Sequence, residues 1–130
     1  MDKMEFARQL RATVDKHYNC AQSVLVPFAG ELGLSEEQAY NLGAHFGSGM
    51  RHGSACGALS GALMVLGAMG YGEQEAQALL RAFRERNGCT DCAHLLASAK
   101  ERGEEKKPHC DRLVYECVQA LLDLKAGKWA

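Results

Sequence analysis

No excess of charge of either sign marks this 130-residue chain. Fifteen Lys and Arg stand against sixteen Asp and Glu, with no long basic stripe among them. The electrostatic footprint of a nucleic-acid binder is therefore missing, and neither DNA nor RNA is expected as a partner. A long hydrophobic run is missing too. The most apolar stretch, 55–71, falls short of the roughly 18 to 20 residues that cross a bilayer and is rich in glycine, so it reads as a buried helix and no membrane span is expected. The opening Met1-Asp2-Lys3-Met4-Glu5 alternates charge where a secretory signal would carry an apolar segment and a small-residue cleavage site, which points to a cytoplasmic protein. Strict apolar–polar alternation is absent as well, leaving no strand pattern to compete with helix.

What is present is enough for one core. With 47% hydrophobic residues the chain can bury a single domain over 1–130 and is too short to favour two. Phe6, Leu10 and Val14 recur at helical spacing on an opening helix expected to end near His17. Asn19 suits the N-cap of a second helix, and Ser35-Glu36-Glu37-Gln38 fits a capping box for a third, from about Glu36 to His45. The glycine-rich 43–53 reads as a loop. Cys56 to Gly67 reads as a central helix whose small face, Gly57, Gly61, Ala58 and Ala62, lets neighbours pack closely. A fifth helix should stop at Asn87-Gly88, Asp91 can cap a short sixth, and the charged 100–107 reads as a solvated connection to a last helix opening near Pro108. The expected fold is all-α, a compact bundle of about five to seven helices.

Cysteine carries the chemistry. Cys20, Cys56, Cys92 and Cys110 each fall at or near the expected start of a different helix, where unpaired N–H groups and the helix dipole favour a thiolate. Six cysteines in a secreted mini-protein would suggest stapling, but a sufficient core and a reducing compartment disfavour it. Four thiolates from separate helices suit a tetrahedral set for zinc or for an iron–sulfur cluster, and ligand type does not separate these metals. Gly53, Gly57 and Gly88 are candidates for bringing backbone N–H groups to the sulfurs. Cys89-Thr90-Asp91-Cys92 is a C-x-x-C, so Cys89 is a candidate additional ligand, but the strand-to-helix context of a thioredoxin-like pair is missing. Cys117 aligns with an apolar stripe and reads as a packing residue. His52 and His109, close in sequence to site cysteines, are secondary candidates for ligand or proton donor. Tyr18 and Tyr40 read as packing groups with polar ends.

Cys56-Gly57-Ala58-Leu59-Ser60-Gly61 resembles the signature of the bacterial C_GCAxxG_C_C family. The likeness extends to Tyr18-Asn19-Cys20-Ala21-Gln22-Ser23-Val24, to Gly61-Ala62-Leu63-Met64-Val65-Leu66-Gly67, and to the later Asp91-Cys92 and His109-Cys110. Its four characteristic cysteines then correspond to Cys20, Cys56, Cys92 and Cys110, and the resemblance implies redox activity on their account. Members resemble part of the split-Soret cytochromes, which carry an iron–sulfur cluster beside their haems. No C-x-x-C-H haem attachment motif occurs here, so haem is not expected.

The expectation from sequence is a small redox protein using these four cysteines. One form holds an iron–sulfur cluster and transfers electrons without a substrate pocket. The other is a thiol oxidoreductase in which a low-pKa cysteine attacks and a second resolves the intermediate. The alternative is a zinc-binding structural or protein-interaction domain. A redox partner protein, a small thiol or disulfide substrate and a second copy of the chain are the partners these forms admit.

Overall fold

A computed structural model describes residues 2–128, and its helices begin where the sequence supplies caps. Asp2 accepts from the Glu5 N–H at 2.8 Å and opens α1, Lys3–Ala12. The helix ends earlier than its apolar spacing suggested: Thr13 is extended, its hydroxyl donates to the Gln9 carbonyl at 2.7 Å, and Val14 is almost wholly exposed. Asn19 and Gln22 form a reciprocal capping box that starts α2, Cys20–Leu25. A 3-10 helix follows over Val26–Leu32, carrying Pro27, which cannot donate to a continuing α-helix, and it closes on left-handed Gly33. Ser35 and Gln38 make the expected box for α3, Glu36–Gly43.

After an irregular loop come α4, Gly57–Ala68; α5, Glu73–Asn87; α6, Cys92–Glu101; and α7, Lys106–Lys125. Among the described residues that gives seven α-helices and one 3-10 helix, eight against the five to seven expected, in a compact single-domain all-α bundle. The solvated connection shrinks to 102–105, because α6 runs on to Glu101 and α7 starts two residues before Pro108. No described helix is long and apolar enough to cross a membrane.

The fold is organised around α4. Gly57, Ala58, Leu59, Gly61, Ala62, Val65 and Leu66 are buried, and α4 packs most extensively on α2 and next on α7. The α2 contact depends on missing side chains. A Cβ on Gly57 would stand 2.8 Å from the Phe46 carbonyl oxygen and 3.2 Å from Cys20 Cβ, and one on Gly61 would stand 2.7 Å from the Ala21 carbonyl oxygen. Only glycine lets the two backbones approach so closely, and that approach brings the N-termini of α2 and α4, with Cys20 and Cys56, side by side.

Candidate functional site

Five helices, α1, α2, α4, α6 and α7, meet around a cavity of about 100 Å³. Cys20, Cys56, Cys92 and Cys110 all line it, with Arg11, Asn19, Lys106 and His109 among its other walls. Two backbone connections set the Cys56 and Cys92 side. The segments 54–56 and 90–92 pair through an antiparallel bridge between Ala55 and Asp91, with the Cys56 N–H donating to the Thr90 carbonyl at 2.8 Å and the Cys92 N–H to the Ser54 carbonyl at 2.6 Å. Leading into them is a left-handed turn: Ser48, Gly49, Met50 and Arg51 all have φ between +53° and +68°. For three non-glycine residues this is strained backbone. Arg51 Nε lies 3.0 Å from His45 Nδ1, and the Ser54 N–H donates to the Gly49 carbonyl at 2.8 Å, which fastens the turn.

The four thiols differ sharply. Cys56 is the N-cap of α4, but its sulfur makes no cap hydrogen bond of full geometry; the nearby Ala58 and Leu59 N–H groups favour its thiolate, and burial outweighs them, pushing the thiol up to about 11. Cys92, at the first position of α6, is also raised by burial and then by Cys110. Cys20 and Cys110 both line the cavity, and each is the largest influence on the other's thiol. The Cys20 thiol is raised, first by Cys110 and then by burial. The Cys110 thiol is brought down to about 7, chiefly by Cys20 and then, against burial, by Arg11 and Lys106. The thiol brought down thus lies in the second turn of α7, while those closest to helix starts are raised.

This arrangement overturns the metal and cluster expectations. Among the described residues no group of three or more His, Cys, Asp or Glu could hold a metal ion. Zinc or an iron–sulfur cluster needs several deprotonated sulfurs drawn to one point, about 2.3 Å for zinc. Here the sulfurs are dispersed over walls from separate helices. The residues do not fit an iron–sulfur cluster or zinc, so electron transfer through a bound cluster and a zinc-stapled interaction domain both fall. The same dispersal, with every cysteine free, removes the four-thiol redox centre exchanging disulfides.

Other candidates lie as follows. Cys89 follows the left-handed C-cap Gly88 of α5 and packs against the core away from the cavity. Cys117 is buried in the core two turns beyond Cys110, and burial raises its thiol strongly. Gly57 lines the cavity; Gly53 and Gly88 do not. Gly53 has φ +79° and sits against Ala93, and Gly88 has φ +86°, so both serve backbone turns. His52 is exposed in the strained turn. His109 reaches the cavity wall, but its Nδ1 lies 3.4 Å from Glu104 Oε1 and 3.2 Å from an Arg112 nitrogen, and burial followed by Arg112 lowers its pKa. Tyr18 and Tyr40 pack edge to face at 5.2 Å, and the Tyr40 hydroxyl donates to the His17 carbonyl at 2.9 Å.

Sequence reasoning missed Arg11 and Lys106. Arg11 comes from α1, far from the cysteine signature, and Asp111 fixes it at 2.6 Å. Lys106 lies one turn before Cys110, and the basic run Lys106-Lys107 beside His109-Cys110 was the available signal.

Residues 18–124 match the family described as "Putative redox-active protein (C_GCAxxG_C_C)". No curated protein and no solved structure matches the chain.

Proposed function

The chain belongs to the C_GCAxxG_C_C family, and from that premise we propose that it works through one nucleophilic sulfur, the Cys110 thiolate, with the Cys20 thiol as its hydrogen-bond donor. The observation that carries this reading is the Cys20–Cys110 pair on the wall of a small cavity, flanked by Arg11 and Lys106. A thiolate is the reactive form of cysteine, and a pKa near ambient pH combines a large thiolate fraction with retained nucleophilicity. In the reaction the Cys110 sulfur forms a bond to a soft electrophilic atom. The bond from that atom to its leaving group breaks, and the leaving group departs with the electron pair. Cys20 keeps its proton throughout.

A cavity of about 100 Å³ favours a small molecule over a protein partner or a second copy of the chain as the reactant. Residues 1–130 act as one unit in this reading, since Arg11 contributes from outside the matched segment. Six free cysteines suit a reducing, cytoplasmic setting.

Timed alkylation with iodoacetamide, located by peptide mass spectrometry, tests the proposal. Cys110 is expected to react first, with a rate half-maximal near pH 7 and rising about tenfold from pH 6 to pH 8. Modification of Cys92 or Cys89 ahead of Cys110, or a midpoint at the ordinary ~8.5, would overturn it.

A further inference from the structure

His109 forms part of the wall between two cavities. It lines the thiol cavity of about 100 Å³ and, on its other side, a wider polar cleft of about 520 Å³. The residue is almost wholly buried, so its two ring nitrogens meet only what packs against them. Nδ1 belongs to the cleft. It lies 3.2 Å from an Arg112 nitrogen and 3.4 Å from Glu104 Oε1, and both of these residues line the cleft and not the thiol cavity. Nε2 makes no hydrogen bond among the described residues, yet among them no buried side-chain nitrogen or oxygen is left without a partner. Nε2 therefore reaches open space.

The same contacts decide which nitrogen carries the proton. A guanidinium only donates, so Nδ1 accepts from Arg112 and a neutral ring keeps its proton on Nε2. Glu104 Oε1 is already engaged by Arg102 and Arg112 at 3.3 Å each. Burial and then the Arg112 charge hold the His109 pKa below its ordinary value, which keeps the imidazole uncharged at neutral pH. Other donors on the cavity wall are in use: Arg11 on Asp111 and the Tyr18 carbonyl, and the Asn19 amide on the Gly43 and Ala44 carbonyls.

We propose that His109 presents its Nε2–H to the thiol cavity, where it holds a carbonyl oxygen of the electrophile attacked by Cys110. This inference rests on the reading of Cys110 as nucleophile and names the substrate class, a soft electrophile with an uncharged carbonyl beside the attacked atom. His109 and Cys110 are consecutive in α7 and about 100° apart around it, so one element fixes donor and sulfur together. An ammonium has no lone pair to accept this N–H, and an uncharged ring brings no charge to balance an anion. A carbonyl oxygen accepts it, and the hydrogen bond strengthens as electron density builds beside it during the attack.

Iodoacetamide carries such a carbonyl, whereas allyl bromide is an activated alkylating agent with no oxygen to hold. Each gives a thioether to Cys110 as the carbon–halogen bond breaks and the halide leaves with the electron pair, and His109 keeps its proton. The quantity to measure is the ratio of the two rates at Cys110 in the full chain at pH 8, for the parent, His109→Phe, His109→Gln and Arg112→Leu. A change in thiolate fraction moves both rates together and cancels. His109→Phe, which keeps a ring and loses the donor, is expected to lower the iodoacetamide-to-allyl bromide ratio roughly fivefold, and His109→Gln, which keeps an N–H, to hold it within about twofold. Arg112→Leu alters a half-exposed side chain and frees Nδ1 to take the proton and donate to Glu104, so it too should lower the ratio. An unchanged ratio in His109→Phe, with Cys110 still alkylated by allyl bromide, overturns the carbonyl-holding role and leaves the nucleophile standing. Should His109→Phe lose its helical circular dichroism, Arg112→Leu decides, and an unchanged ratio there overturns the proposal. Failure of Cys110 to react with either reagent in the parent removes both readings.

Discussion

The reactivity of Cys110 belongs to its neighbours more than to its own position. The Cys110 thiol is lowered first by Cys20 and then by Arg11 and Lys106. Removing Cys20 should undo part of this. Cys20→Ala is expected to move the pH midpoint of Cys110 alkylation upward by about one unit, since Cys20 is the largest influence on its low pKa. Cys92→Ser should leave the midpoint close to the parent's, because Cys92 acts on Cys110 only through space. A midpoint unmoved by Cys20→Ala would show that the pair is not what activates the sulfur. The sequence made these residues visible as cysteines and ranked Cys20 and Cys56 ahead of Cys92 and Cys110. Helix-end placement argues for Cys56 as the reactive centre, yet burial holds that thiol at about 11. Of the groups that lower Cys110, Lys106 lies one turn away in sequence, whereas Cys20 and Arg11 come from α2 and α1 at separations that local pattern does not register. For the same reason Cys56→Ser is expected to leave the first alkylation at Cys110, against the order that helix-end reasoning gives.

Between elements, the close approach of α2 and α4 decides whether the cysteines share a cavity at all. Gly61→Ala places a methyl group 2.7 Å from the Ala21 carbonyl oxygen and 3.2 Å from Ala21 Cα. These are backbone atoms that cannot swing aside, so the helices must part, at a cost of about 1–3 kcal/mol. Gly67→Ala is the matched control on the same helix. Nothing lies within 4 Å of its added methyl group, and a helical glycine replaced by alanine gains roughly 0.5–1 kcal/mol. Urea unfolding of both variants checks this; equal stabilities would mean that the glycine face does not set the interhelical distance. Much of this scale was legible. Capping at Asn19 and Ser35 and the small face of α4 are local signals, and all three are present in the structure. Helix ends were harder to read. Nothing in the apolar spacing of Phe6, Leu10 and Val14 shows that Thr13 turns its hydroxyl back on Gln9 and stops α1. The left-handed turn at 48–51 was legible only as a glycine-rich loop, because Met50 and Arg51 are not residues from which positive φ is expected.

Across the whole molecule, shifted thiols make stability depend on alkaline pH. Cys110, lowered to about 7, adds stability that is fully present above its unfolded value near 9 and is lost as pH falls through 7. Buried Cys56 and Cys117 act in the opposite sense: their folded values are raised, so their contribution is complete below pH 9 and drains away as the pH climbs toward the folded values. Over that interval the unfolded chain has released protons that the folded chain retains, which gives unfolding free energy a negative slope with pH. For Cys56, raised from 9.0 to about 11, the loss reaches about 2–3 kcal/mol by the top of the range. Urea unfolding in reducing buffer at pH 8, 9, 10 and 11 should therefore show stability falling above pH 9. Cys56→Ala lowers stability at pH 8 by removing a packed side chain, but it also deletes the group that titrates. Its curve should accordingly run flatter than the parent's from pH 9 to 11 and approach it at the alkaline end. The slope carries the test, since other alkaline titrations act on both proteins alike. Parallel curves would mean that the Cys56 thiol ionises in the fold as readily as in the open chain, and that the α4 N-terminus wins over burial after all.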